Sequence, residues 1–262
     1  MGPLEELPEH LTELQNDLMN PAIVFGNENF GITNYIFWMI IVMVIVVVTI
    51  LLVGRKLTLI PKNKFVNMVE YGYEFVRNDM GKNSVGHGYK RHVPFLATLF
   101  FFILVANFVG LIPGAKAATG SISITWALAI ISFVYFNYWG VKAKGGLGYL
   151  KSIAPSGLPI VMVPVIWFFE ALSLCLRAMT LAFRLYGNMF AGHMVLGIFA
   201  LMTSVFTTYA IHNAEFMMIL PSFAWFFFII FMYCLECLVA FLQAYVFTTL
   251  SAVYISLATS EH

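Results

Sequence analysis

Long apolar runs separated by short polar stretches organise the chain. Residues 34–53 form the first run and carry no charge. At about 20 residues, it has the length that a hydrocarbon core ~30 Å thick requires of a helix. Residues 93–113 and 122–141 form the second and third runs. Their short connection predicts an antiparallel helical hairpin, and Tyr138 and Trp139 suit an interfacial anchor at its end. Residues 158–210 and 216–258 differ, because each stays apolar for about twice the length of a straight span. Each is either two spans joined by a tight turn or one long helix steeply tilted to the membrane normal. Pro164, Gly187, Gly192 and Pro221 mark candidate bends.

Residues 63–80 have another pattern. At ~100° per residue, Phe65, Met68, Val69, Gly72, Phe75 and Val76 fall on one arc. Lys64, Asn67, Glu70, Glu74, Arg77 and Asn78 fall off it. This predicts an amphipathic helix lying along the membrane surface. A soluble helix packed on another subunit would show the same pattern.

Composition agrees with a membrane protein: 61% of the 262 residues are hydrophobic and 10% are charged. Soluble domains average about 25% charged residues. The expectation is an all-α membrane protein of a single polytopic domain. It has about five membrane-embedded helices plus one surface helix, with the last two long and strongly tilted. Residues 1–33 hold six acidic residues and no Lys or Arg, so no basic region of a cleavable signal precedes the first span. Eleven of the 14 Lys and Arg lie in residues 54–92 and 142–151, and only Lys116 lies in the opposite loop. Cytoplasmic loops collect Lys and Arg, which puts the acidic N-terminus outside and the C-terminus inside.

The remaining cations, Arg177 and Arg184, are embedded in apolar sequence. A guanidinium stays charged at physiological pH, and placing one at a spanning helix centre costs about 2.5–3.5 kcal/mol on insertion scales. Glu170, Arg177 and Arg184 are spaced by seven, so they share a helix face, and Asn188 lies about 40° from Arg184 on the same stripe. His193 is roughly 180° round from Arg184. Glu236 and Gln243 share a face of the last helix. Asn188 and Gln243 alone also fit a role as hydrogen-bonding glue between helices. Glu170 and Arg177 fit a mutual ion pair, interfacial snorkelling or a pathway role. Arg184, His193 and Glu236 combine a permanent cation, a group titrating near neutrality and a carboxylate, and together point to a protonatable path. Cys234 and Cys237 form a C-x-x-C, but Cys175, Cys234 and Cys237 all fall in apolar helical sequence and read as packing residues rather than a disulfide or metal set.

"LAFRLYGNMFAGH" followed by "LECLVAFLQAYVFTTLSAVYISLA" closely resembles the a subunit of F-type ATP synthases, and "ANFVGLIPG" extends the resemblance. The resemblance implies a non-catalytic stator subunit beside a rotating ring of c subunits, held by b-type peripheral stalk subunits in a bacterial plasma membrane. It implies membrane lipid and protons as further partners, with no cofactor, metal or nucleic acid. It assigns the family's essential arginine to Arg184, its asparagine to Asn188 and its glutamine to Gln243. Some members have Glu after "AG" and His in the last helix, and His193 and Glu236 are the swapped arrangement. Glu170, Arg177 and Asn107 are expected in half-channel or supporting positions. The resemblance also implies that the last two helices form a tilted hairpin against the ring.

Other classes fit less well. A secondary transporter would show two related halves, and the sequence has no such internal repeat. A membrane-embedded enzyme would need a nucleophile or metal set, and H-E-x-x-H is absent. A purely structural scaffold leaves Arg184 and the titratable pair unexplained.

Overall fold

The computed structural model describes residues 12, 23–27, 30–55, 63–86, 88–112, 114–146, 148–149, 162–212 and 219–260. Most of the acidic segment, Lys56, Lys62, Lys151 and the start of the 158–210 run lie outside the described residues.

Six helices carry the architecture: α1 Asn34–Arg55, α2 Lys64–Phe75, α3 Val93–Gly110, α4 Ile122–Lys144, α5 Val163–His212 and α6 Ile219–Thr259. All but α2 are long and apolar enough to cross a membrane. A small antiparallel hairpin precedes α1, pairing β1 Ile23–Asn27 with β2 Phe30–Thr33. The hydrophobic pattern gives no strand here, because so short a stretch holds too few residues for alternation to register.

The two long runs are single helices. α5 has 50 residues and α6 has 41. At 1.5 Å rise per residue these are about 75 Å and 60 Å long. Both remain apolar throughout, so fitting them within a ~30 Å core demands a steep inclination. None of the four candidate bend positions interrupts a helix. Pro164 and Pro221 lie in the first turns of α5 and α6, where an N–H would have no helical acceptor. Gly187 and Gly192 lie within unbroken helix.

Asn63 starts α2 by accepting the Phe65 N–H at 3.1 Å, satisfying one orphan donor. Only part of the apolar arc is buried against the protein. Val66, Val76 and Met80 are buried, whereas Phe65 is 49% exposed and Met68 64%. The apolar arc is wide, and the protein covers only one edge of it. Gly72 lies flat against the Phe101 ring, and Phe75 meets Phe100, Phe241 and Tyr245 with ring centroids 5.8–6.3 Å apart. α2 is therefore docked on α3 and α6 of its own chain. Beyond Phe75 the helix continues as a π-helical stretch, Val76–Lys82, and one more turn to Val85.

α3 and α4 meet through aromatic side chains at the end nearest the basic segments. Phe95 stacks on Tyr135 at 3.7 Å, and His92 Nδ1 lies 3.1 Å from the Tyr135 hydroxyl. α6 packs against both helices, and Phe100, Ile103, Phe136, Phe247 and Ile255 form the centre of that contact. α4 ends at Gly145, whose φ of 76° is one that side chains avoid. The chain then folds back so that Tyr149 lies against Gly140 and donates to Asn137 Oδ1 at 2.8 Å.

Two outcomes follow. A side chain at Gly140 would run into the Tyr149 ring, so Gly140→Leu should cost about 1–3 kcal/mol, read as a lower melting temperature of the solubilised protein. Burial, then the Arg91 charge, hold the His92 pKa below 6.5. Folded His92 is thus neutral, and its contribution to stability is complete above that value and lost as the pH falls below it. The melting temperature should fall between about pH 7 and 5, and His92→Gln should flatten that fall.

Candidate functional site

Arg184 emerges on the open side of α5. It is exposed and has no hydrogen bond or ion pair with any described residue. Thr180, Gly187 and Ala191 continue the same exposed stripe. A Cβ added at Gly187 would meet nothing within 4 Å, so none of the described residues covers that position. Small residues here leave room for another helix to approach the backbone closely.

The other polar residues of the stripe are arranged differently. Glu170 is half-buried and pairs with neither arginine. Each step of seven residues carries it about 10 Å along the helix. Arg177 places its guanidinium 5.7 Å from the centre of the Tyr254 ring on α6, a cation–π contact. Of the readings open for Glu170 and Arg177, the mutual ion pair is therefore not formed. Arg184 is likewise not neutralised by Glu170.

On α6, Glu236 is 7% exposed and its carboxyl lies directly against Gly192 of α5, where a Cβ would collide with Oε1. Beside it, a half-open cleft of about 200 Å³ lies between α5 and α6. Asn188, Gly192, Val195, Glu236 and Val239 are among its lining residues. The cleft is mostly apolar in lining, and its polar residues are Asn188 and Glu236. It joins Glu236 to Asn188, one turn from Arg184.

His193 does not line this cavity and makes no ion pair with Glu236 within 4.0 Å. The two groups are close in the fold but not in contact. Lys116, from the connection between α3 and α4, lies near enough to His193 to act on it electrostatically. Gln243 is buried on the Glu236 face. His193 Nε2, Glu236 Oε2 and Gln243 Nε2 are all buried without a protein hydrogen-bond partner. Each such atom costs about 1–3 kcal/mol unless something else satisfies it. Three orphans in one region are unusual for a site whose only task is packing.

Asn107 lies apart from these groups. It is fully buried, accepts from Thr119 Oγ1 at 2.7 Å and donates to the Ala240 carbonyl at 3.2 Å. Sequence reasoning missed Gly192, Thr119 and Tyr233, whose hydroxyl donates to the Leu111 carbonyl at 3.1 Å. Only the "AG" beside His193 hinted at the first, and the other two carry no pattern. Among the described residues no group of His, Cys, Asp and Glu could hold a metal ion, and the three cysteines are free and exposed.

The chain has relatives along nearly its whole length. Residues 36–256 match the family model described as ATP synthase A chain. The protein called ATP synthase subunit a in Chloroherpeton thalassium is 38% identical over 248 residues, covering 92% of this chain and 70% of the relative. The one of that name in Chlorobium phaeobacteroides is 36% identical, covering 94% and 70%. In a Nocardioides species the identity is 35%, covering 94% of this chain and 92% of the relative. Five membrane-length helices, a family match over most of the sequence and these identities agree: the chain belongs to the ATP synthase A chain family, a non-catalytic membrane subunit of the ATP synthase complex.

Proposed function

We propose that this chain couples proton flow to rotation by presenting Arg184 to a ring of c subunits, between two aqueous half-channels. The observation that carries this reading is the open guanidinium on an apolar helix face. A charge there needs a counter-group, and none of the described residues supplies one. The stripe of Thr180, Gly187 and Ala191 beside it fits close passage of partner helices.

Each ring subunit would carry a carboxyl group that stays neutral in lipid, because ionising there is strongly disfavoured. Opposite Arg184 the balance reverses, since a nearby cation favours the carboxylate. The proton leaves to one half-channel, and the carboxyl is reloaded from the other after passing Arg184. Arg184 cannot hand on a proton itself, so it also blocks a direct leak. Each elementary charge crossing the full potential contributes about 2.3 kcal/mol per 100 mV.

The arrangement favours an order on the outer side. With the N-terminus outside, His193 lies nearer the outer surface than Asn188. A proton entering past His193 reaches Glu236, and the cavity then connects Glu236 to Asn188 and the Arg184 face. Because His193 and Glu236 do not touch, transfer between them uses water rather than a shared hydrogen bond. Gln243 offers a further polar group on the Glu236 face. The b-type peripheral stalk would hold the subunit against ring torque. A bacterial plasma membrane, with the basic segments on the cytoplasmic side, is the setting this reading requires.

Arg184→Ala should abolish proton-driven ATP synthesis in membrane vesicles while the chain still inserts and assembles. Robust synthesis with that variant overturns the reading. Arg184→Lys should also fail, because a buried ammonium can release its proton. Gly192→Ala displaces the Glu236 carboxyl and should lower proton flux about tenfold or more without loss of assembled complex. Flux equal to the parent would show that the Glu236–Gly192 contact is irrelevant to conduction.

A further inference from the structure

Helices in lipid have little hydrophobic reason to choose one rotation over another. Lipid tails are as apolar as Leu, so exchanging one apolar face for another changes little, and interhelical polar contacts carry much of the selection. α6 illustrates the difficulty, since Leu235, Leu238, Phe241 and Leu242 around Glu236 are all exposed apolar residues. Rotating α6 by one residue, ~100°, would take Glu236 off Gly192, and what opposes it is the close packing of Ala240, Phe247 and Ile255 together with the polar contacts of the helix.

Polar contacts of α6 recur along one side. Tyr233 donates to the Leu111 carbonyl at 3.1 Å, which α3 leaves free at its end. The Ala240 carbonyl, two turns on, receives the Asn107 amide at 3.2 Å. Three turns further, Ser132 of α4 donates to Ser251 at 2.9 Å in a fully buried pair. Asn107 is itself fixed by Thr119 at 2.7 Å, and both have no exposed surface. Glu236 lies between the first two tethers, one turn from each.

Resting on the function proposed above, we infer that Asn107, Thr119 and Tyr233 are positioning residues that hold α6 at the rotation which seats Glu236 on Gly192. Asn107 is enclosed and hydrogen-bonded at both ends of its amide, so it does not lie on the water path. It acts through the backbone of α6. Thr119 sets the direction of the Asn107 amide, because its hydroxyl occupies Oδ1 and turns the NH₂ towards Ala240. Tyr233 anchors the other side of Glu236 to the end of α3.

The test uses the assembled ATP synthase in inverted vesicles, with Tyr233→Phe, Thr119→Val and Thr119→Ser. ATP-driven proton pumping is measured across pH, with the amount of assembled complex measured alongside. Other ionisable groups around Glu236 and His193 are Tyr233 and Cys237 on α6 and Lys116 from the α3–α4 connection. Thr119→Val leaves all of these groups in place, and Tyr233→Phe removes only its own phenol. Tyr233→Phe and Thr119→Val should each lower pumping about threefold or more and move the pH midpoint, with assembly unchanged. Thr119→Ser keeps the hydroxyl and should match the parent. Parental profiles for both Tyr233→Phe and Thr119→Val overturn the inference, as does a fall explained wholly by lost complex. Arg184→Ala in the same assay separates the two claims: if it still pumps, the proposed function fails, and if it is inactive while Tyr233→Phe and Thr119→Val are both normal, only the tether fails.

Discussion

A fixed positive charge in an apolar surrounding must be compensated, and the rest of this structure follows from how Arg184 meets that demand. Among the described residues Arg177 has Tyr254, but Arg184 has no charged or hydrogen-bonding partner on its exposed face. The two cations share a helix and a stripe, yet only one is satisfied internally. The difference is the partner helix: α6 passes under Arg177 with an aromatic ring, while the surface beyond Arg184 is left open.

The buried polar groups divide in the same way. Asn107, Thr119, Ser132 and Ser251 find one another, so they fix how the helices sit and exchange nothing with solvent. His193, Glu236 and Gln243 are left with an unpaired atom each. Membrane proteins can keep such atoms where water enters and solvates them. Satisfied groups thus mark the scaffold, and of the unsatisfied ones Glu236 lines the cleft while Thr248 and Thr249 lie further along α6.

Much of the architecture was legible because lipid imposes simple rules on length and charge. The runs at 34–53, 93–113 and 122–141 correspond closely to α1, α3 and α4, since a span's length follows from the core it crosses. The polar residues of the last two helices were visible as exceptions in apolar sequence. What sequence could not give was contact. The heptad spacing of Glu170 and Arg177 suggested a pair, but rise along the axis kept them apart and the Tyr254 ring decided the matter. Gly192 looked like a bend because glycine weakens helices, whereas its role here is to leave space for Glu236. Phe65 lies on the apolar arc without touching the core, because a periodic pattern cannot say which edge of a broad apolar face the protein will cover. The π-helical stretch was invisible for a related reason, as periodicity analysis assumes a constant turn.

That stretch has a consequence for how the chain can vary. Between Val76 and Lys82 the helix takes more residues per turn, and the Asn83 N–H reaches back five residues to Asn78. The wider turn lets Val76, Met80, Gly81 and Val85 all point inward, bringing the end of the helix against α6. Deleting one residue there would restore the ordinary winding and swing Val85 away from its contact. Substitution can be absorbed at the exposed positions Arg77, Asn78 and Asp79, but the number of residues cannot change without re-aiming everything downstream. In this short segment, counting matters more than chemistry.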